Sequence, residues 1–436
     1  MRMYVAAILL IASLRAQDAP AQGANAPAAT APGVPANDVR PKDVREIGKG
    51  GSSAIPRLTE FLKNPKTDVR VEAVKQLTAA RALDALIQAS HDNSPEVQME
   101  ATDGIVDFYM PGYIQTGITG SLKRGVSSIK GRFTDTNDQM IDPYVEVRAD
   151  AVAAVGALAR SGGSMQARAN AARAIGILRG KAAVPDLLEA LRAKDTDVLY
   201  ESLVALQKIR DGASGPKITF LLNDLNAKVQ VAAIETVGIL RTREAAPDLM
   251  SVLKRTKNEK VRRAALTSLA MLGDPAARPL YQQYLSDKDE KMRGAAAEGF
   301  ARLRTPADVP AIEQAWKDEG KTATRVSLAF ALVMLGRTEL SEFSPLQFLI
   351  NTLNSNAYKG DALALLKEAA RDRSTRNALY TALPAGTKDE KIGLARVLAE
   401  SGDKESIAHL EKVSRDPDSE VAQEGLRALK NLQARM

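Results

Sequence analysis

The sequence predicts an all-α protein, an α-solenoid of about 10–11 antiparallel helix pairs, and three observations carry that expectation. Apolar or small residues repeat at offsets 0, +4, +8 and +11: Val198, Ser202, Leu206, Ile209; Val229, Ala233, Val237, Leu240; Val261, Ala265, Leu269, Leu272; Met292, Ala296, Phe300, Leu303; Thr324, Leu328, Leu332, Leu335. At 100° per residue the four offsets fall within an arc of about 80°, a single buried stripe on a helix. The copies recur with a period of about 31 residues, the length of a two-helix repeat. Pro185, Pro216, Pro247, Pro279 and Pro310 keep the same period, and Pro56 stands in the same place near the start. A fixed period of this length marks a stacked array whose units bury their apolar faces only against one another.

Each unit reads as a proline-started helix A, a short turn and a helix B. Proline fits the first turn of a helix, where its missing N–H has no partner to lose. Asp68, Asp197, Asn258 and Asp289 in the turns are expected to cap helix B. Gly176, Gly238, Gly273 and Gly336 are expected to end helix B in the left-handed conformation. Val147 and Ala167 begin stripes less than one period apart and read as neighbouring helices of one unit. Trp316 falls on the stripe Val309, Ile312, Trp316 of a helix A and is expected in the core.

Strings such as KTDVRVEAVKQL, NEKVRRAALTSLAMLGD and KDEKMRGAAAEGFARL resemble the D-x-x-V-R-x-x-A-A-x-x-L-G core of HEAT-like repeats of the phycobilisome-lyase type. The resemblance covers about residues 40–436 and implies a right-handed, armadillo-like superhelix. It also implies a ladder between turn acids and the arginine after each anchor, here Arg70, Arg148, Arg168, Arg262, Arg293 and Arg325. The position is Leu199, Gln230 or Ala422 in other copies, so the ladder is expected to be interrupted. Such repeats serve adaptors, lyase subunits and a few enzymes alike, so the resemblance is specific for fold and poor for function.

The amino-terminal segment lies outside the period. Arg2, an apolar run from Tyr4 to Ala12 and small residues leading to Ala16 resemble a secretory signal peptide cut after Ala16, with Leu14 a departure from the usual small residue. The run is too short for a membrane span, which takes roughly 20 residues. Residues 17–38, Ala/Pro-rich, read as a disordered linker. Repeats are expected over 39–109 and 143–436, in a chain residing in the periplasm or secreted.

Between them lies a break in the period. The interval from Val97 to Val147 is longer than one and a half periods, and the excess centres on 110–142. Ile114, Ile118, Leu122, Val126, Ile129 and Phe133 form a second amphipathic stripe, interrupted by Gly117, Gly120, Gly125 and Gly131. Lys123, Arg124, Lys130 and Arg132 give 110–134 a charge of +4 with no acid. Phe108, Tyr109, Tyr113, Phe133 and Tyr144 are five of the eighteen aromatics. Basic residues, clustered aromatics and a narrow apolar face suit a docking element. The expected partner-binding residues are therefore Tyr109, Tyr113, Lys123, Arg124, Lys130, Arg132 and Phe133, unless 110–134 is simply an extra packing helix.

Composition narrows the chemistry. Zero cysteines exclude disulfides, thiolate metal sites and cysteine nucleophiles. The two histidines, His91 and His409, stand at opposite ends of the array and leave no material for a histidine metal site. Asp135, Asn137, Gln139 and Glu146 fit positions of a calcium loop, but Met140 replaces the glycine its turn needs. The net charge of +7 falls to +5 on loss of Arg2 and Arg15 and is mostly interleaved with acids, which does not call for nucleic acid. The function expected is a non-catalytic scaffold or adaptor for a protein partner, with no catalytic residue, metal, cofactor or small-molecule substrate. The alternatives are an adaptor on anionic lipid through 110–134 and a HEAT-like enzyme related to bilin lyases or DNA glycosylases.

Overall fold

The computed structural model describes residues 38–114 and 139–436. Residues 1–37 and 115–138 fall outside it, and with them the expected leader, nearly all of the linker and most of the insertion. Among the described residues there is no strand, and eleven helix pairs follow one another. Helix B of the successive units is Thr67–Ala79, Pro95–Tyr109, Met165–Ile177, Thr196–Ile209, Ala227–Ile239, Glu259–Leu272, Glu290–Leu303, Thr322–Met334, Lys359–Ala369, Lys388–Ser401 and Ser419–Arg435. Each packs on the next helix B, so these helices form one continuous layer, and the A helices lie against it as a second. The helix Pro41–Gly48 precedes the first pair and packs on Thr67–Ala79.

The stripe residues account for the layer. Val198, Ser202, Leu206, Val229, Ala233, Val237, Ala265 and Leu269 have no exposed surface. Small side chains let neighbouring B helices approach closely. A Cβ at Gly176 would stand 2.8 Å from the Cα of Ala205, and one at Gly238 would stand 2.9 Å from the Cα of Ser268. These two glycines are therefore packing positions within their helices, not left-handed ends. Gly273 and Gly336 do take left-handed backbone, at φ 62° and 100°. In other units that conformation is adopted by Arg81, Arg179, Arg210, Arg241 and Arg304, at φ 52° to 57°.

The caps divide in the same way. Asn258 and Asp289 accept hydrogen bonds from the first turns of their helices as the turn chemistry requires. Asp68 and Asp197 lie inside the first turn; Asp195 is the residue that caps Thr196–Ile209. Pro56, Pro185, Pro247, Pro279 and Pro310 begin their A helices. Pro216 instead lies inside a 3-10 helix, Gly212–Asn223, which replaces helix A of the fifth pair. Gly212 and Gly215 lower the helix propensity of this stretch, and a Cβ at Gly215 would collide with Thr242.

The stripe from Val147 is misplaced. Val147 precedes helix A of the third pair, Ala149–Ser161, and helix B follows at Met165–Ile177. The sequence VEVRADAVAAV imitates a helix-B core because an A helix also presents an apolar face. The two helices do pack together within one unit, but the break in the period runs from Val97 to Ala167, more than two periods. Trp316 is half-buried, its ring edge-on to Phe348 at 5.0 Å.

Leu269→Ala, at a fully buried stripe position, should cost about 2–5 kcal/mol. Lys257→Ala, in an exposed turn, should be nearly neutral. Urea melts of the two variants against the parent chain decide this, and equal midpoints would mean that the buried face is wrongly identified.

Candidate functional site

One edge of the B layer lies at the turns before helix B. Arg70 donates to both oxygens of Asp92, at 2.7 and 3.0 Å, and reaches back to the carbonyl of Asn64 at 2.9 Å. Arg293 repeats the pattern with Glu319 at 2.7 and 3.0 Å and the carbonyl of Asp287 at 2.8 Å. Lys391 pairs likewise with Asp416. Each cation ties its own turn to that of the next unit through charge-assisted hydrogen bonds. The ladder is interrupted elsewhere. Arg168 bonds the carbonyl of Ala159, and Gln230 that of Leu222. Arg325 lies over the rings of Trp316 and Phe348, at 4.5 and 5.1 Å. Arg262 makes no ion pair among the described residues, whereas the neighbouring Arg263 pairs with Glu259 and Asp289. Arg148 is not a rung at all: it precedes Ala149–Ser161 and pairs with Asp84 and Asp150.

The opposite edge, at the ends of the B helices, holds the left-handed arginines. Arg179, Arg210, Arg241, Gly273, Arg304 and Gly336 recur with the repeat period, a regularity present in the sequence that helix patterns alone do not single out. Arg241 and Arg302 share Glu368, at 2.8 and 2.7 Å, and Arg304 pairs with Asp372 at 2.9 Å. Burial pushes the Glu368 carboxyl up, but its bonds to Arg302 and the charge of Arg241 outweigh this and hold it below the ordinary glutamate value. These contacts join residues 66 and 127 positions apart, so the layer curls on itself at this edge.

The insertion is anchored at both ends. Before it, the Tyr109 hydroxyl accepts a hydrogen bond from the Arg148 amide at 3.0 Å, and Phe108 packs edge-on to Tyr109 at 5.0 Å. Arg81 lies 4.9 Å from the Phe108 ring and donates to the Phe108 carbonyl at 2.7 Å. Tyr113 is half-buried against the core. After it, the Ile141 amide donates to the Ile177 carbonyl at 3.0 Å, and Lys208 donates to the Gln139 carbonyl at 3.1 Å. Asp142 then accepts from the Arg427 guanidinium at 2.7 and 3.0 Å, across the chain on the last helix, with Lys430 beside the Tyr144 ring. Tyr109 and Tyr113 thus stand at the base of the insertion; Lys123, Arg124, Lys130, Arg132 and Phe133 lie outside the described residues. So do Asp135 and Asn137 of the calcium-loop reading.

A buried polar group crosses the layer. Asn170 donates to Asp103 at 3.0 Å and accepts from Arg173. Glu201 in the adjoining helix B is 3% exposed. Desolvation pushes its carboxyl up to about 7, against the lowering influence of Arg173, Lys208 and Lys228. His409 lies flat on Tyr380, ring centres 4.0 Å apart, and burial lowers its pKa.

Stacked helix pairs, a continuous layer of B helices and a ladder along its turns define an α-solenoid of HEAT-like repeats. Residues 215–280 and 249–333 match the family model for HEAT repeats, and 167–193 match the PBS lyase HEAT-like repeat. Residues 167–193 and 215–333 of the chain are thus HEAT-like repeats. No curated protein matches it by sequence. Among solved structures it is similar to the CpcE–CpcF complex of phycocyanin lyase from Nostoc sp. PCC7120, at 16% identity over 60% of this chain and 90% of that one, TM-score 0.37. It is also similar to importin beta, at 13% identity over 87% of this chain and 57% of that one, TM-score 0.38. A third is YibA of E. coli, at 16% identity over 68% of this chain and 96% of that one, TM-score 0.39.

Glu201 gives the layer a pH dependence of definite sign. Its folded value of about 7 exceeds the ordinary 4.5, so the folded chain holds this proton more tightly than the unfolded one. Its contribution is fully present below about pH 4.5 and is lost as the pH rises through about 7. Glu201→Gln should therefore gain roughly 2–3 kcal/mol relative to the parent chain between pH 4.5 and pH 8. Urea melts of both proteins at the two pH values measure it, and parallel pH profiles would refute it.

Proposed function

We propose that this protein is an exported, non-catalytic scaffold that grips a protein partner through its helical-repeat surface and the 110–134 insertion. The repeat fold supports a binding role, because a stacked array offers a long surface and loops that interrupt it commonly carry recognition. The observation that carries the reading is the interruption itself. Val97 and Ala167 are more than two periods apart where the later units need one, and the returning chain meets the helix-B layer at Ile177 and Lys208. Four cations without an acid, in 110–134, give that excess a chemical character of its own. Export rests on the leader-like Met1–Ala16 and the Ala/Pro-rich stretch after it. Among the described residues no helix is long and apolar enough to cross a membrane.

Two measurements test the proposal. Deleting 112–134 with a short Gly/Ser bridge should preserve helical content and melting temperature and abolish crosslinking to the protein that the parent chain captures in intact cells. Unfolding on deletion would make the segment a packing element and overturn its binding role. Binding to anionic vesicles that weakens when Lys123, Arg124, Lys130 and Arg132 become glutamine would replace the protein partner with a lipid surface, at about 1 kcal/mol per cation.

Amino-terminal sequencing of the native protein should read from Gln17, in a periplasmic or secreted fraction. An intact Met1 in a cytosolic fraction would overturn export.

A further inference from the structure

The arginines at the ends of the B helices occupy a backbone state that their side chains disfavour. Left-handed backbone brings Cβ against the following carbonyl, a penalty that glycine avoids. Gly273 and Gly336 avoid it; Arg81, Arg179, Arg210, Arg241 and Arg304 accept it. Strain repeated at one position of a repeat points to a use for the side chain. A cation suits a helix carboxyl end, but that alone does not select arginine over glycine followed by a basic residue, as in Gly336–Arg337.

Three of the five have a use within the molecule. Arg81 holds Phe108 at the base of the insertion. Arg241 and Arg304 are filled by Glu368 and Asp372, two carboxylates from a single stretch of chain. Arg179 and Arg210, in adjoining units, are exposed, and their side chains make no ion pair or hydrogen bond with a described residue. The exposed Lys181 stands two positions beyond Arg179.

We propose that Arg179 and Arg210 are the open half of this edge and receive an acidic, extended segment of the partner protein, much as Glu368 and Asp372 fill the other half. The inference rests on the scaffold reading and names the partner's chemistry. Adjoining packed helices stand roughly 8–10 Å apart, and an extended segment in the polyproline II conformation advances about 3.1 Å per residue with three residues per turn, so carboxylates at i and i+3 share one face and match neighbouring arginines. Each guanidinium can take its carboxylate through paired N–H bonds, which a lysine cannot do. Regular spacing along one edge favours a linear ligand over a lipid surface.

The probe is a fluorescein-labelled dodecapeptide with aspartate at every third position, compared with its asparagine counterpart by anisotropy at low and high salt. The full chain should bind the aspartate peptide, weakly at high salt, and bind the asparagine peptide at least tenfold less. Arg179→Gly with Arg210→Gly should reduce binding at least tenfold while the melting temperature stays level or rises, since glycine relieves the strained backbone. Equal binding by the double variant and the parent overturns the inference. A lowered melting temperature also overturns it, because the arginines would then be structural caps. Binding that appears only after Asp135→Asn and Asp138→Asn would assign the edge to the chain's own acids, and binding of anionic vesicles but not of the peptide would assign it to lipid; either overturns it. If the peptide fails to bind while deletion of 112–134 still abolishes partner crosslinking, this inference falls and the scaffold reading stands.

Discussion

Everything in this molecule depends on the contact between one helix B and the next. A single helix pair cannot enclose its apolar stripe, so Val198, Leu206, Val237 and Leu269 are dry only because a neighbouring unit covers them. That contact demands small residues where the helices are closest, which is why Gly176 lies against Ala205 and Gly238 against Ser268. The polar bonds between units are secondary in energy but direct each unit's placement. Ser268 donates to the Ile234 carbonyl at 2.8 Å, and Gln207 donates to Thr236 at 3.0 Å. Ladder pairs such as Arg70–Asp92 fix the turn edge, and Glu368 fixes the other.

The parts of this design that repeat are legible in the sequence. Offsets, prolines and period follow from local helix geometry, and they locate the stripe, helix A and the number of pairs. Where two local patterns compete, sequence pattern misleads. The segment around Val147 imitates helix B, because an A helix also has an apolar face, and the break before Met165 then looks shorter than it is. Asp197 suits the cap that Asp195 supplies, since both acids fit the turn and only backbone conformation separates them. Gly176 and Gly238 resemble helix ends, yet glycine serves equally where another backbone must come close.

The candidate site is less legible. That Tyr109 bonds the Arg148 amide, or that one glutamate serves arginines from two distant helices, follows from the curl of the array. Curvature accumulates from small rotations between units that no single unit encodes. The left-handed arginines are an intermediate case: their spacing is plain in the sequence, but arginine is not a residue from which that backbone is inferred, so only φ reveals them.

The pairing of Asp142 with Arg427 also orders events in time. Chain emerging from the ribosome at about 5–20 residues per second lets early units stack as they appear. Asp142, however, waits for a residue 285 positions later, a delay of roughly 15–60 s at those rates. The leg leaving the insertion is thus fixed long after the units around it, by the helix Ser419–Arg435. A chain that stopped short of residue 419 would retain most of its stacked units and lack that fastening. Synthesis of Ser419–Arg435 therefore fastens a segment made long before it.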